Sequence, residues 1–231
     1  MALNSTGPIS LAGSITGQSI ALELGRTATT STSLNETDVR NLLGVASGTI
    51  SLNSAYGKSA VSTPNADGGV LIVLNQTAGL RGVGRPGYHN EDVTYTDTIT
   101  AGPFGPYTTL NINTYGTNIS RLYRGYFIPA TTGSHRFRVT SDDGAYMWLG
   151  SAAISGYTTS NLIINNGGLH GPVAVTSGYW NMDAGTYYPI RIVYGNNAAS
   201  GQLTLEWEGP GQAFTTNGSS RYFYNSATNG F

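Results

Sequence analysis

The stretch "TYYPIRIVYGNNAASGQLTLEWEG" (186–209) contains two runs in which large apolar side chains recur at every second position. Tyr188, Ile190, Ile192 and Tyr194 form the first set, and Leu203, Leu205 and Trp207 the second. Successive side chains of a strand point to opposite faces, so each run has one inward and one outward face. The two runs read as partner β-strands with apolar sides turned to a common core. By the same alternation, Glu206 and Glu208 stand on the outward side of Trp207, where they are expected to be solvated and not to form an acid and base pair.

Working outward, strand signals recur at the short spacing of an all-β sandwich or barrel. They are "GVLIVLN" (69–75), "VTYTDTIT" (93–100), "TTLNIN" (108–113), "RLYRGYFIP" (121–129), "SHRFRVTS" (134–141), "GAYMWLG" (144–150), "SNLIINN" (160–166) and "VAVTSGYW" (173–180). One compact antiparallel β-sandwich over 67–231 is predicted, within a chain of 231 residues that is long enough to bury a core. Composition agrees: charged residues are 10%, against roughly 25% in ordinary soluble proteins, while Gly (32) and Tyr (15) are abundant.

Net charge is −1 and Lys58 is the single lysine, so no basic patch exists to neutralise nucleic-acid phosphates or anionic lipid. The absence of cysteine excludes disulfides and thiolate metal sites. No run approaches the ~18 apolar residues of a membrane span, and "MALNSTGPISLAG" lacks the basic and apolar regions of a signal peptide. A soluble chain with no nucleic-acid partner and no membrane insertion is expected.

The first sixty residues differ in character. "GPISLAG" (7–13), "SIALELG" (19–25) and "GTISLNSAYG" (48–57) read as short paired strands. Between them "LNETDVRNLLG" (34–44) reads as a helix, with Asn35 as N-cap, Leu34 and Val39 as a hydrophobic staple, Leu42 and Leu43 on the apolar face, and Gly44 at C′. Residues 61–66 read as a linker. A small α+β module over 1–60 is therefore expected ahead of the sandwich. The segment 7–59, with "VRNLLG" and "ISLNSAYGKS" as its most specific parts, resembles the N-terminal segment recurrent in tail and tail-fibre proteins of bacteriophages. That resemblance implies a virion-attachment module docking to other tail or baseplate proteins.

Several motifs fail on inspection. "GVGRPG" (82–87) has dinucleotide-type glycine spacing, but Pro86 cannot open the helix that motif needs, so it reads as a loop. "YGKS" (56–59) would need a glycine where Leu52 stands. His89, His135 and His170 lack metal-ligand spacing, and no serine has a nucleophile-elbow context. No catalytic residue is expected, and a polysaccharide-degrading enzyme ranks last among the readings.

"TSDDGAYMWLG" (140–150) places Asp142 beside Asp143 at a strand end. The pair has three readings: a turn in which both carboxylates satisfy their own backbone before Gly144, an ion pair with Arg136 or Arg138, or a cation site. Ca²⁺ takes about six to eight oxygens, and two adjacent carboxylates would anchor such a shell. "GYFIPATTGSHRFRVTSDDGAYMWLG" with "AGTYYPIRIVYGNNAASGQLTLEWEGPG" resembles the protective-antigen-type β-sandwich and its GLEYA and flocculin relatives. In that family an adjacent Asp pair joined by a cis peptide holds Ca²⁺ and touches the sugar.

The resemblance implies that Asp142, Asp143 and Asn196 bind metal and carbohydrate, with Asn197 a neighbouring metal candidate and carbonyls of Ala199 and Gly201 as further donors. It also implies an aromatic in the second loop, where this chain has Ser200. Tyr146, Trp148, Tyr157 and Trp180 are expected in the core, and "INNGGLHGP" (164–172) is a glycine-rich loop bordering the site or turning the chain.

Together these readings give a non-enzymatic tail adhesin, made in the host cytoplasm and located in the virion. It would display a Ca²⁺-dependent site for host-surface carbohydrate in symmetric copies. The alternative is a purely structural tail or decoration protein without ligand binding.

Overall fold

The computed structural model describes residues 3–43, 45, 47–56, 76–88 and 101–226. The described residues up to 56 form one compact unit and those from 76 onward a second. The strands expected at 69–75 and 93–100, the linker at 61–66 and the Gly44 cap lie outside the described residues.

In the first unit, α1 (Ile20–Glu23) and α2 (Thr37–Leu43) are followed by a 3-10 turn at Leu52–Ala55. The strand reading of "SIALELG" is corrected. Ser19 Oγ accepts from the Leu22 N–H at 3.3 Å and caps a helical turn. That turn presents Ile20 and Leu24, four residues apart, to a core of Leu3, Val39, Leu42, Leu43 and Ala55. A strand would place those two on one face only with Leu22, which the turn leaves half-buried.

The helix over 37–43 is as expected, and Leu34 packs on the cluster that holds Val39. Asn35 is not its cap: its Oδ1 is occupied by Arg40 Nε and Nη2 at 3.1 and 2.9 Å. Arg26 grips Glu36 and Asp38 in the first turn, at 2.6 and 2.5 Å.

The second unit is a two-sheet antiparallel sandwich. Its strands are β1 (Gln76–Ala78), β2 (Leu80–Pro86), β3 (Ala101–Tyr107), β4 (Asn111–Tyr115), β5 (Ile119–Phe127), β6 (Gly133–Asp142), β7 (Ala145–Leu149), β8 (Ile164–Asn166), β9 (Val173–Thr176), β10 (Trp180–Met182), β11 (Tyr188–Asn196), β12 (Gly201–Gly209), β13 (Gln212–Thr215) and β14 (Tyr222–Asn225), with a short α3 (Ser151–Ile154) after β7. One sheet runs β1-β14-β5-β11-β7-β8, with β2 against β5 and β3 against β2. The other runs β10-β6-β12-β13, with β9 against β6 and β4 against β12. "GVGRPG" is therefore strand and not loop: Arg81 to Pro86 pair with Arg124 to Ile119 of β5.

The two periodic runs of the sequence form the heart of the core. Tyr188, Ile190, Ile192 and Tyr194 of β11 face Leu203, Leu205 and Trp207 of β12 within one buried cluster. Strand β11 is buried along its whole length, because its other face meets a second cluster of Val83, Leu122, Tyr146, Trp148, Ala153 and Val193. Tyr146 and Trp148 are core residues, as expected, but on that outer side. There the Trp148 indole N–H donates to Thr158 O at 2.8 Å, and Tyr157 stands edge-on to the ring.

On the open side of β6, Arg138 forks onto both carboxylate oxygens of Glu206 at 2.6 and 2.7 Å, and Arg136 pairs with Glu208. The register sets these pairs, Glu206 opposite Arg138 and Glu208 opposite Arg136. Solvated glutamates are thus corrected to ion-paired ones.

Phe127 of β5 joins the sheets, meeting Phe137 edge-on at 5.1 Å and Trp207 at 5.3 Å. Phe127→Ala is expected to destabilise the sandwich by about 3–5 kcal/mol, read as a lower urea midpoint with an unchanged slope.

Candidate functional site

Strand register brings the predicted residues to one end of the sandwich. Asn196, the last residue of β11, pairs with Ile119 at the start of β5. Asp142, the last of β6, pairs with Gln202 at the start of β12, and Gly201 pairs with Tyr115 at the end of β4. The loops 143–144, 197–200, 116–118 and 167–172 therefore meet at that end.

The Asp142–Asp143 peptide bond is cis. Asp143 is 8% exposed and its carboxylate joins two loops: Oδ1 accepts from the His170 N–H at 3.0 Å and Oδ2 from the Asn197 N–H at 2.9 Å. Both donors are remote in sequence, so the reading of a local turn closed by its own carboxylates is corrected. The ion-pair reading is corrected too, since Arg136 and Arg138 are taken by Glu208 and Glu206. Asp142, half-buried, accepts a 2.6 Å bond at its backbone carbonyl from Tyr194 Oη, and its carboxylate accepts none from the described residues. Burial, with the Asp142 charge next in weight, pushes the Tyr194 phenol far above its ordinary range, so it serves only as a neutral donor.

Asn196 is fully buried. Its Nδ2 donates to Gly116 O at 2.8 Å and Ala199 O at 3.1 Å, tying the 116–118 loop to the 197–200 loop. Those two carbonyls fix the amide orientation, because a flipped amide would set oxygen against oxygen. Asn196 Oδ1 is left buried with no hydrogen-bond partner. Such an oxygen costs about 1–3 kcal/mol unless something outside the chain meets it.

The donor set suits a hard cation: two carboxylates, one orphaned amide oxygen, and backbone carbonyls nearby. Among the described residues no group of three or more His, Asp or Glu could hold a metal, so a cation here must draw on amide and carbonyl oxygens. Asn197 enters through its backbone, whose carbonyl accepts from Asn118 N–H at 3.0 Å. Ser200 lies exposed in the loop where an aromatic was expected.

Three participants escaped sequence reasoning: Tyr194 as the clamp on Asp142, the His170 backbone as the clamp on Asp143, and the 116–118 loop. Asn118, at φ 50°, is its one sequence signal, since asparagine is the residue that tolerates left-handed backbone.

Residues 119–209 match the GLEYA domain family. Flocculation protein FLO9 of Saccharomyces cerevisiae is 35% identical over 116 residues, which is 44% of this chain and 8% of the flocculin. Flocculation protein FLO1 of the same yeast is 34% identical over 115 residues, 44% of this chain and 7% of its own length. The chain thus spans less than a tenth of the curated relatives it matches. Among solved structures, the subtype-switched epithelial adhesin 9 to 1 A domain of Candida glabrata, in complex with β-lactose, superposes with TM-score 0.52 at 15% identity, covering 69% of this chain and 93% of that one. The epithelial adhesin 6 A domain from the same yeast gives 0.50 at 19%, covering 68% and 91%. These likenesses establish the sandwich fold.

Gly201 is required by close approach. A Cβ there would stand 2.2 Å from Tyr194 Oη and 2.5 Å from Asn196 Cγ, inside the site's hydrogen-bond framework. Gly201→Ala is expected to cost about 1–3 kcal/mol in urea unfolding, and an unchanged midpoint would show that this packing is looser than described.

Proposed function

We propose that the C-terminal sandwich is a Ca²⁺-dependent carbohydrate-binding domain of a non-enzymatic adhesin. The observation that carries this reading is Asn196 Oδ1, a buried oxygen without a donor at the same strand ends as the Asp142–Asp143 pair. Asp142, Asp143 and Asn196 Oδ1 would hold the ion, with the Ala199 and Gly201 carbonyls as further donors. The bound cation would supply a positive centre on which vicinal hydroxyls of a sugar complete the oxygen shell.

The chain's own part is pre-organisation. His170 and Asn197 N–H groups hold the Asp143 carboxylate, Tyr194 holds the Asp142 backbone, and the Asn196 amide nitrogen fixes the loop opposite. The family match over 119–209 and the sugar complexes of the adhesin A domains support the carbohydrate reading. With Ser200 in place of an aromatic platform, each site is expected to bind weakly.

Calcium should stabilise the fold by mass action, by about 2.7 kcal/mol at a hundred times its Kd, and so raise the melting temperature, and Asp142→Ala with Asp143→Ala should abolish the rise. Melting curves indifferent to calcium and to chelator would overturn the site. On a glycan array, saturable binding lost on chelation supports adhesion, whereas calcium uptake with no glycan bound would leave the decoration-protein reading.

The proposal extends to location. Residues 1–60 would dock this domain to a phage tail or baseplate in symmetric copies, where weak sites gain avidity. The support is the resemblance of residues 7–59. Antibody against the chain should label the tails of intact virions, and virions without label would refute the placement.

A further inference from the structure

The pole opposite the Asp142 site carries a second cleft, of about 390 Å³. Its walls come from the loop after β5, the starts of β6 and β14, the end of β12 and the segment from β13 onward, and include His135, Trp207, Gln212, Asn217, Ser219 and Arg221. Strand β12 runs from Gly201 at the first site to Gly209 at this cleft, so the two lie roughly 27 Å apart at ~3.4 Å per residue.

The cleft is built and not incidental. Trp207 Nε1 donates to Asn217 O at 2.9 Å, Asn217 N to Thr215 Oγ1 at 3.1 Å and Ser219 N to Asn217 Oδ1 at 3.0 Å. Gly218 N reaches Thr108 O at 2.8 Å, and a Cβ on Gly218 would stand 1.8 Å from the Tyr222 ring, so this wall is pressed onto the core. At the floor, buried His135 is held by its Nδ1 on Gly133 O at 3.0 Å. Burial lowers its pKa and keeps the ring neutral near pH 7.

Charge selects the ligand. Among the described residues no carboxylate lines the cleft and Arg221 makes no ion pair. Of its five guanidinium N–H donors, one makes a long bond to Ile128 O at 3.3 Å. Around that unmatched cation stand hydroxyl and amide groups of Thr131, Gln212, Thr215, Asn217 and Ser219, with the Trp207 indole as the apolar wall. A pocket of a few hundred Å³ with one convergent charge and several neutral polar groups suits a small ligand and not a bare inorganic anion.

We propose that this cleft binds the carboxylate of a sugar acid, with Arg221 gripping the carboxylate and the amide and hydroxyl side chains reading the ring hydroxyls. This site needs no metal and is independent of the calcium-dependent one.

The test uses the full chain in EDTA, with glucuronate, glucose and acetate titrated by saturation-transfer NMR. Glucuronate should bind saturably, and more tightly than either glucose or acetate. Arg221→Ala should weaken it at least about tenfold, the loss expected for one charge-assisted hydrogen bond, while Arg221→Lys retains part of the affinity. Thr131→Trp, an exposed change at the mouth, should block binding without touching the arginine, and each variant's melting curve reports its folding. Asp142→Ala with Asp143→Ala should leave glucuronate binding intact. Equal affinity for glucose, affinity unmoved by Arg221→Ala and Thr131→Trp, or no saturable glucuronate binding would each overturn the proposal.

Discussion

Strand β11 has no exposed residue, so its polar groups must find partners inside the protein or, like Asn196 Oδ1, go without one there. That constraint organises the second unit. Its even-numbered residues from Tyr188 to Tyr194 fill the space between the sheets, which fixes its register against β5 on one side and β7 on the other. Arg191, on the other face, is 3% exposed and is met by Ala153 O at 2.7 Å and by the Tyr157 ring at 4.0 Å. A slip of one residue would drive Arg191 between the sheets and Tyr194 out of them. The same register delivers Tyr194 and Asn196 to the end of the strand, beside Asp142, so the site's geometry follows from core packing.

Among the described residues, three arginines hold four carboxylates. Arg26 meets Glu36 and Asp38, Arg136 meets Glu208, and Arg138 meets Glu206. The two ladder pairs lie partly open to water and contribute little to stability. Among the described residues, Asp143 meets backbone N–H groups from two loops and no countercharge, an arrangement that holds a carboxylate in place while leaving lone pairs free.

Much of the sandwich could be read from alternation. Residues 188–194 and 203–207 announce both their strands and their inward faces, and "AYMWL" is continuously apolar because β7 is covered on both sides. What escaped is what alternation does not encode. Strand β2 carries glycines where it packs tightly: a Cβ on Gly84 would stand 2.5 Å from Arg121 Nη1 and 2.9 Å from Ser120 O, so local chemistry reads as loop while the neighbour demands a strand. The segment 20–24 shows the converse, since its apolar residues fit either period and tertiary burial chose the helical one. Of the site, Asp142, Asp143 and Asn196 could be found by residue type and resemblance. The N–H groups of His170 and Asn197, which hold Asp143, carry no side-chain signature in the sequence.

Strands β6 and β12 each reach both ends of the sandwich, and seven successive residue pairs join them, from Gln202–Asp142 to Glu208–Arg136. A ladder of that length, with Phe137, Val139, Leu203 and Leu205 buried beneath it, is stiff, because shifting one strand along the other breaks every cross-strand pair at once. Loop rearrangements at the Asp142 end would therefore be absorbed by the loops 116–118, 167–172 and 197–200, which a few hydrogen bonds tie together, before they could move the strands. The Arg221 end is walled by its own bonded loop and by Tyr222. Two chemically different poles, one rich in oxygen donors and one holding a cation with no ion pair among the described residues, can thus coexist on one small sandwich with the ladder as an inert spacer between them.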